Sequence, residues 1–547
     1  MRNPTTISSF MEKGYLISPD VLDKIPHNFN IQDFISNFNN NIKTKDKPIL
    51  INKDLFNCIN KSKNPLEINW LEFEKSKTLR EKGKNGKTYE TFLDILNYDI
   101  YEEKKEKLKI ILQEVTKPEE EILSENPKIQ EPVVIVLKSY SHDSKKREVQ
   151  DFVSYFKARY NSLKKILLNR QELQNAISIN KIYAKQPKEQ ASIIGMVVDK
   201  QITKNNTIIL NVEDLTGEIK VLISKNSEIH KIARDIILDE VIGIIGTLGD
   251  RVIYANQIIP PNIPLNRELK KSPNEVYAAF ISDIHVGSKY FLKEKFEEFI
   301  NWLNSKAEGQ NEIKIISKIK YLFLVGDLVD GIGVYPSQEP LIEIKDIREQ
   351  YNLLAELLGK IRKDIKIIIC PGNHDATRLA LPQPPLDKDI AQRIWDLKNV
   401  VMVSNPSLVN IQSSEEFPGF DVLLFDGYSY HTYLDEVEEL RLAGGHNNPL
   451  NVMKFLLQKR HLSPTHNTSR YVPYQNEDPL VIEKVPDIFV SGEMHKVAVE
   501  NYKNITLIYC GCWQSKTPRQ VQLGLEPDTA VVPIINLQTR TSIIKSF

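Results

Sequence analysis

The chain has 547 residues, with 72 Lys and Arg against 72 Asp and Glu, so it carries no formal net charge at pH 7. That length exceeds what one hydrophobic core serves and predicts about two to four domains, while the balanced charge excludes a globally basic nucleic-acid binder and leaves only a local basic face. The four cysteines (Cys58, Cys370, Cys510, Cys512) form no CxxC pair, which argues against a disulfide framework and a zinc ribbon. No run of about 18 apolar residues is present, so a cytoplasmic protein without a membrane span is expected.

In chain order, residues 1–45 read as a small helical unit. Leu16, Ile17, Val21, Leu22 and Ile25 recur at helical spacing, and Ser18-Pro19-Asp20 makes a helix start. Residues 46–130 are rich in Lys, Glu and Asn and read as a charged, largely flexible linker. Residues 131–187 hold a strand (Pro132 to Leu137) and a long amphipathic helix. Its apolar stripe is Val149, Phe152, Val153, Phe156, Tyr160, Leu163 and Leu167. The opposite face carries Lys157, Arg159, Lys164, Lys165 and Arg170, read as solvated or as contacting phosphates.

Between 188 and 264 the period changes to that of short strands, near 193–198, 207–212, 219–223, 241–245 and 252–255, with a helical stretch between the third and fourth. That order is expected of an OB-fold β-barrel. Only Tyr254 on those strands offers a ring for base stacking, which favours a subunit-docking role over binding single strands.

From 275 to 547, buried-strand runs alternate with helical stretches, and the runs end in chemistry-bearing residues. Val276 to Ile281 leads to Asp283 and His285, and Tyr321 to Val325 leads to Gly326-Asp327. Ile367 to Cys370 leads to Gly372-Asn373-His374-Asp375. Asp421 to Phe425 leads through Asp426 to His431, and Asp487 to Val490 leads to Gly492-Glu493-Met494-His495. A layered α/β sheet would deliver all of these to one edge. Carboxylate, imidazole and amide groups without thiolates suit Mn²⁺, Fe²⁺ or Zn²⁺. Asp327 could bridge two ions about 3.5–4 Å apart, which would clamp a phosphate and ionise a water. His374 is placed to donate to a leaving oxygen, with Asp375 orienting it.

Asp283-x-His285, Gly326-Asp327-x-x-Asp330, Gly372-Asn373-His374-Asp375 and Gly492-x-x-His495 resemble the calcineurin-like metallophosphoesterases. Asp327-Leu-Val-Asp-Gly331, Tyr430-His431, Arg460-His461-Leu462-x-Pro464, Val485-Pro486-Asp487-Ile488 and Gly511-Cys512-Trp513-Gln514 resemble the small subunits of archaeal family D DNA polymerases. The likeness spans about residues 131–547. It implies a multidomain α+β fold: a small helical N-terminal unit, an OB-fold barrel, then a calcineurin-like αββα metallophosphoesterase sandwich.

The resemblance further implies Asp283, His285 and His495 as ligands of one metal, Asp327 as the bridge, Asn373 and His431 as ligands of the second, and His374 as the transition-state residue. It implies two divalent ions, Mn²⁺ foremost with Fe²⁺ or Zn²⁺ as alternatives, and a 3′→5′ exonuclease that proofreads. The implied partners are a large catalytic subunit, DNA 3′ ends and, through the holoenzyme, the sliding clamp, in a nucleoid-associated cytoplasmic setting. The family's last motif is Gly-His-x-His, and here Glu493 replaces its first His, at the second metal. A carboxylate there changes metal preference, and a purely structural subunit or a free-standing phosphoesterase are the alternative readings. His446, in Gly444-Gly445-His446, rivals His431, which follows a buried strand; His461 reads as structural or substrate-facing.

Overall fold

The computed structural model describes residues 4–22, 25, 29–41, 50, 51, 56, 132–141, 146–305, 309–466 and 468–547. Most of the expected linker lies outside them. The chain divides into two compact units, Met1–Ile129 and Gln130–Phe547. Among the described residues no helix is long and apolar enough to cross a membrane.

In the first unit, helices Pro4–Glu12, Pro19–Leu22 and Ile31–Asn41 accompany a pair of parallel two-residue strands, β1 (Leu16–Ile17) and β2 (Leu50–Ile51). Leu16 and Ile17, expected on a helical stripe, are thus extended. Phe10, Phe34, Phe38 and Phe56 are buried together with Val21, Ile35 and Ile51, and the rings carry much of that packing.

In the second unit, a mixed α+β body, five strands close a barrel in the order β4-β5-β6-β8-β7. They are β4 (Gln190–Ile202), β5 (Ile208–Asp214), β6 (Gly217–Ile223), β7 (Val241–Leu248) and β8 (Val252–Ile259). A short helix, His230–Arg234, falls between the third and fourth. Alternate residues such as Ile208, Leu210 and Val212 fill the interior, as the two-residue period requires.

Two six-stranded sheets follow. The first runs β12-β11-β10-β9-β18-β19, from β9 (Tyr277–Ile281), β10 (Ile319–Val325), β11 (Lys366–Cys370), β12 (Val400–Met402), β18 (Val531–Asn536) and β19 (Ser542–Ser546). Strands β9 to β12 are parallel and return through helices such as Lys293–Leu303 and Ile347–Gly359. The second runs β16-β17-β15-β14-β13-β3, from β3 (Val134–Lys138), β13 (Ser407–Ile411), β14 (Phe420–Leu424), β15 (Ile488–Ser491), β16 (Ala498–Tyr502) and β17 (Ile505–Tyr509). The strand that precedes the barrel in sequence therefore pairs antiparallel with β13, beyond it. Phe280, Phe323 and Ile368 of one sheet meet Val422, Ile488 and Ile508 of the other in one core. The outer faces pack under helices, Lys293–Leu303 and Ile347–Gly359 on the first, Tyr430–Glu436 and Pro449–Lys459 on the second. The inner strands, such as β9, β10, β14, β15 and β17, are covered on both faces and are apolar runs, whereas β3, β16 and β19 at the edges are partly exposed.

The helix predicted from periodicity spans Val149–Leu168, started by a capping box of Glu148 and Asp151. Its buried face is rotated from the predicted stripe: Tyr155, Arg159, Tyr160, Leu163 and Leu167 are inside, whereas Val149 is 81% exposed. Arg159, expected on a solvated basic face, is 1% exposed because Asp478 meets it in the interior at 2.6 Å.

Candidate metal centre

The residues that gather at one edge come from equivalent places. Asp283, Asp327, Asp426 and Glu493 each stand two residues past a strand, after Ile281, Val325, Leu424 and Ser491. The chain must turn sharply there. Asp283 (φ 49°), His285 (φ 52°), Asp327 (φ 47°), Glu493 (φ 82°) and His495 (φ 54°) all adopt the left-handed region. Each such residue costs of order 1 kcal/mol, which the surrounding structure sustains. Main-chain bonds lace these turns together: Asp283 N–H to Gly326 O, His285 N–H to Asp327 O, and Trp513 N–H to Asp283 O.

Asp283, His285 and His495 form a tight group. His495 Nε2 lies 3.4 Å from Asp283 Oδ1 and 3.4 Å from His285 Nε2. Their ligand atoms all fall within 4.8 Å of one another, a spacing that fits one metal ion. Burial opposes charge on His495, but Cys512 and Asp283 hold its pKa well above the ordinary value. Burial likewise pushes Asp283 up, and His495 and His285 outweigh it, so this carboxylate titrates low. Gln520 approaches His495 Nδ1 at 2.9 Å and fixes the ring from behind.

Asp327 adjoins this group, with Oδ2 3.9 Å from His285 Nε2 and 3.8 Å from His374 Nε2. Burial, then the charges of Asp426 and Glu493, drive its pKa well up. Protons or cations must neutralise so many carboxylates in so little water.

His374 is oriented differently from expectation. Its Nδ1 lies 2.8 Å from the main-chain carbonyl of Asp330, which assigns the proton to Nδ1 and turns Nε2 toward Asp327. Asp375, the expected orienting group, points away. It accepts from Gly372 N–H (2.8 Å), Leu328 N–H (3.2 Å) and the Tyr351 hydroxyl (2.9 Å), and so holds the turn rather than the imidazole. Successive side chains of so tight a turn diverge, and only one of the two can face the site. Burial and the neighbouring His285 push the pKa of His374 down to about 4. Asp330 Oδ1 also lies 3.3 Å from His285 Nδ1, and His285, Asp330 and His374 form a second group whose ligand atoms fall within 4.8 Å of one another.

His431 sits in the first turn of helix Tyr430–Glu436, its Nε2 3.1 Å from Glu493 Oε1 and its Nδ1 3.1 Å from His446 Nε2. His446 therefore stands behind His431. His461 lies in a different cluster, buried 2.8 Å from Asp478. Sequence reasoning passed over Asp426, which is 0% exposed and whose carboxylate oxygens both lack a hydrogen-bond partner. Its place two residues past a buried strand was the available signal.

Orphaned buried acceptors test the fit to metal. Asp283 Oδ1, Asn373 Oδ1, Glu493 Oε2 and both Asp426 oxygens have no hydrogen-bond partner. Leaving so many buried acceptors unpaired costs about 1–3 kcal/mol each unless a cation meets them. The donor set fits divalent ions.

Residues 278–499 match the family of the B subunits of DNA polymerases alpha and epsilon. Over 390 residues the chain is 37% identical to the DNA polymerase II small subunit of Methanothermobacter thermautotrophicus, covering 71% of this chain and 78% of that protein. It is 38% identical over 392 residues to the protein of the same name from Methanocaldococcus jannaschii, covering 71% of this chain and 64% of the relative. A solved structure described as a novel archaeal phosphodiesterase aligns with 50% of this chain and 100% of its own at 10% identity and a TM-score of 0.25, a likeness too distant to carry an argument.

Proposed function

The chain belongs to the family of archaeal DNA polymerase II (family D) small subunits, and we propose that it carries a divalent-metal-dependent 3′→5′ exonuclease within a two-subunit replicative polymerase. In this reading it removes mismatched nucleotides from DNA 3′ ends and scaffolds a large catalytic subunit. The barrel is an OB-fold, and the paired sheets are a calcineurin-like metallophosphoesterase sandwich. The observation that carries the reading is the crowding of the buried carboxylates of Asp426, Glu493 and Asp283 about Asp327, with acceptors of Asp426 and Glu493 left unpaired.

Asp283, His285 and His495 would hold one divalent ion, Asp327 would serve two, and Asn373 and Glu493 would serve the second. Mn²⁺ suits this mixture best, with Fe²⁺ or Zn²⁺ as alternatives. Bound there, the ions would supply Lewis-acid stabilisation of phosphate charge and an ionised water. The protein's own contribution centres on His374. Its Nδ1–H is committed to the Asp330 carbonyl, so it passes a proton to a leaving oxygen only as imidazolium, a form that an arriving phosphate's negative charge favours.

The test is digestion of single-stranded and mismatched 3′ ends by the small subunit, alone and with the large subunit, in Mn²⁺. Stepwise release of nucleotides that stops in EDTA and falls about 10²–10⁴-fold in His374→Ala is the expected result. Release that survives this substitution would remove the assignment. No release with any divalent ion, in either form, would favour the second reading, a structural subunit, which Glu493 in place of a His makes specific.

A further inference from the structure

The donors around Asp327 differ in kind. Two imidazoles and a carboxylate, His285, His495 and Asp283, form one group with the spacing of a metal site. Among the described residues one other group has that spacing, His285, Asp330 and His374. Beyond these groups, Asp426 and Glu493 are the charges that bear most on Asp327, and Asn373 Oδ1, Glu493 Oε2 and both Asp426 oxygens are buried without a hydrogen-bond partner.

Asp426 is built into this place. A Cβ on Gly326 would overlap its Oδ1, and a Cβ on Gly372 would crowd both Asp426 Oδ1 and Asp327 Oδ1. Two glycines thus clear the space that seats this carboxylate beside the bridging one. Its backbone is pinned by Asn405 Oδ1, which accepts from Asp426 N–H at 3.0 Å, and by Gly492 N–H, which donates to Asp426 O at 2.9 Å. Fully buried and held at both ends of its peptide, it cannot swing out to water. The charges that bear on it are acidic, Glu493 first, then Asp283 and Asp375, and its one favourable contact among these is with the backbone of Tyr428.

His431 is a poorer donor. Its side chain is 41% exposed, Nε2 is engaged by Glu493 Oε1, and Nδ1 is engaged by His446.

We propose that Asp426, rather than His431, completes a second cation subsite whose protein ligands are all oxygen (Asp327, Asn373, Asp426 and Glu493), with His431 positioning Glu493. The inference rests on the metal-dependent reading above and refines it. All-oxygen sites take hard cations such as Mn²⁺ or Mg²⁺, whereas the imidazole-bearing subsite also suits Zn²⁺. The two subsites are therefore expected to separate the two metals.

The test is a Mn²⁺ titration of the full chain followed by electron paramagnetic resonance, which counts bound equivalents without reference to activity. Wild type is expected to bind two, and Asp426→Asn to weaken one of them at least tenfold, a larger effect than His431→Gln. Zn²⁺ should displace one equivalent at lower concentration than the other. Asp426→His keeps a ligand in place and, if the Asn variant folds poorly, reads the same subsite by shifting its preference toward Zn²⁺. Unchanged binding in Asp426→Asn, loss of an equivalent in His431→Gln alone, or simultaneous displacement of both ions by Zn²⁺ overturns the inference and leaves the exonuclease reading standing. A wild-type chain that binds no Mn²⁺ overturns both.

Discussion

Two buried clusters of Asp and His lie in the second unit, and they are finished in opposite ways. Around Asp478 every polar atom is answered. The carboxylate accepts from Tyr155 Oη at 2.7 Å, Arg159 Nε at 2.6 Å, His461 Nε2 at 2.8 Å and Leu480 N–H at 2.9 Å. Arg159 Nη1 also donates to Pro464 O at 2.6 Å. Around Asp327 the acceptors outnumber the donors, and Asp283, Asn373, Asp426 and Glu493 each keep an orphaned oxygen. The same residue types therefore make a closed clasp between helix and sandwich in one place and an open socket in the other. What separates the two clusters is the count of unmet acceptors, not the presence of buried carboxylates.

The comparison breaks most visibly at the bridging carboxylate. In the proposed exonuclease reading, Asp327→Ala should lower Mn²⁺-dependent nucleotide release by about 10³-fold or more, since the residue would serve both metals. Its thermal midpoint in EDTA should equal or exceed that of wild type, because a crowded, desolvated charge has been removed. Comparative calorimetry and a release assay would check both. At the other cluster the signs reverse. Asp478→Ala leaves Arg159 charged and buried without its partner, which should cost about 3–5 kcal/mol in urea unfolding. The rate of nucleotide release per folded molecule should stay unchanged. Replacing Arg159 and Asp478 together by Met and Leu should recover much of that loss, because a pair removed whole leaves no uncompensated charge.

Strand ends were readable in the sequence because a buried strand, being apolar on both faces, stops abruptly at Asp, Asn or Glu, as at Ile281 and Val325. Helical stretches were expected between the strand runs, and helices Lys293–Leu303 and Ile347–Gly359 fall there; the five barrel strands were legible by their short period. Which side chain past a strand faces inward was not readable. Sequence reasoning prefers His431 because it follows a buried strand and gives Asp426, nearer that strand's end, no role; the room left by Gly326 and Gly372 reveals its place. Arg159 and Asp478 stand 319 residues apart, so no local pattern could lift Arg159 from a basic helical face into the core. The pairing of β3 with β13 is equally distant in sequence and left no trace in composition.

The smallest expected effect follows from the closed cluster's one titrating imidazole. His461 Nδ1 accepts from Ser463 N–H at 3.0 Å while Nε2 faces Asp478, so the surrounding bonds admit only the neutral ring. A second proton would point Nδ1–H at an amide hydrogen. Burial, followed by the Arg159 charge, accordingly lowers the pKa from the ordinary 6.5 to about 4. Between those values the unfolded chain binds more protons at this residue than the folded one, so the contribution to stability is complete above about pH 6.5 and is lost as pH falls toward 4. From pH 7 to 5 the loss should be about 1–2 kcal/mol. Because the carboxylates of the open socket titrate with their own slopes, the measurement is a difference: urea unfolding of wild type and His461→Asn at both pH values in EDTA. The substitution should destabilise more at pH 7 than at pH 5. An equal penalty at both would mean that His461 titrates alike in the folded and unfolded chains, and a larger penalty at pH 5 that it is charged in the fold; either would contradict a neutral, closed cluster.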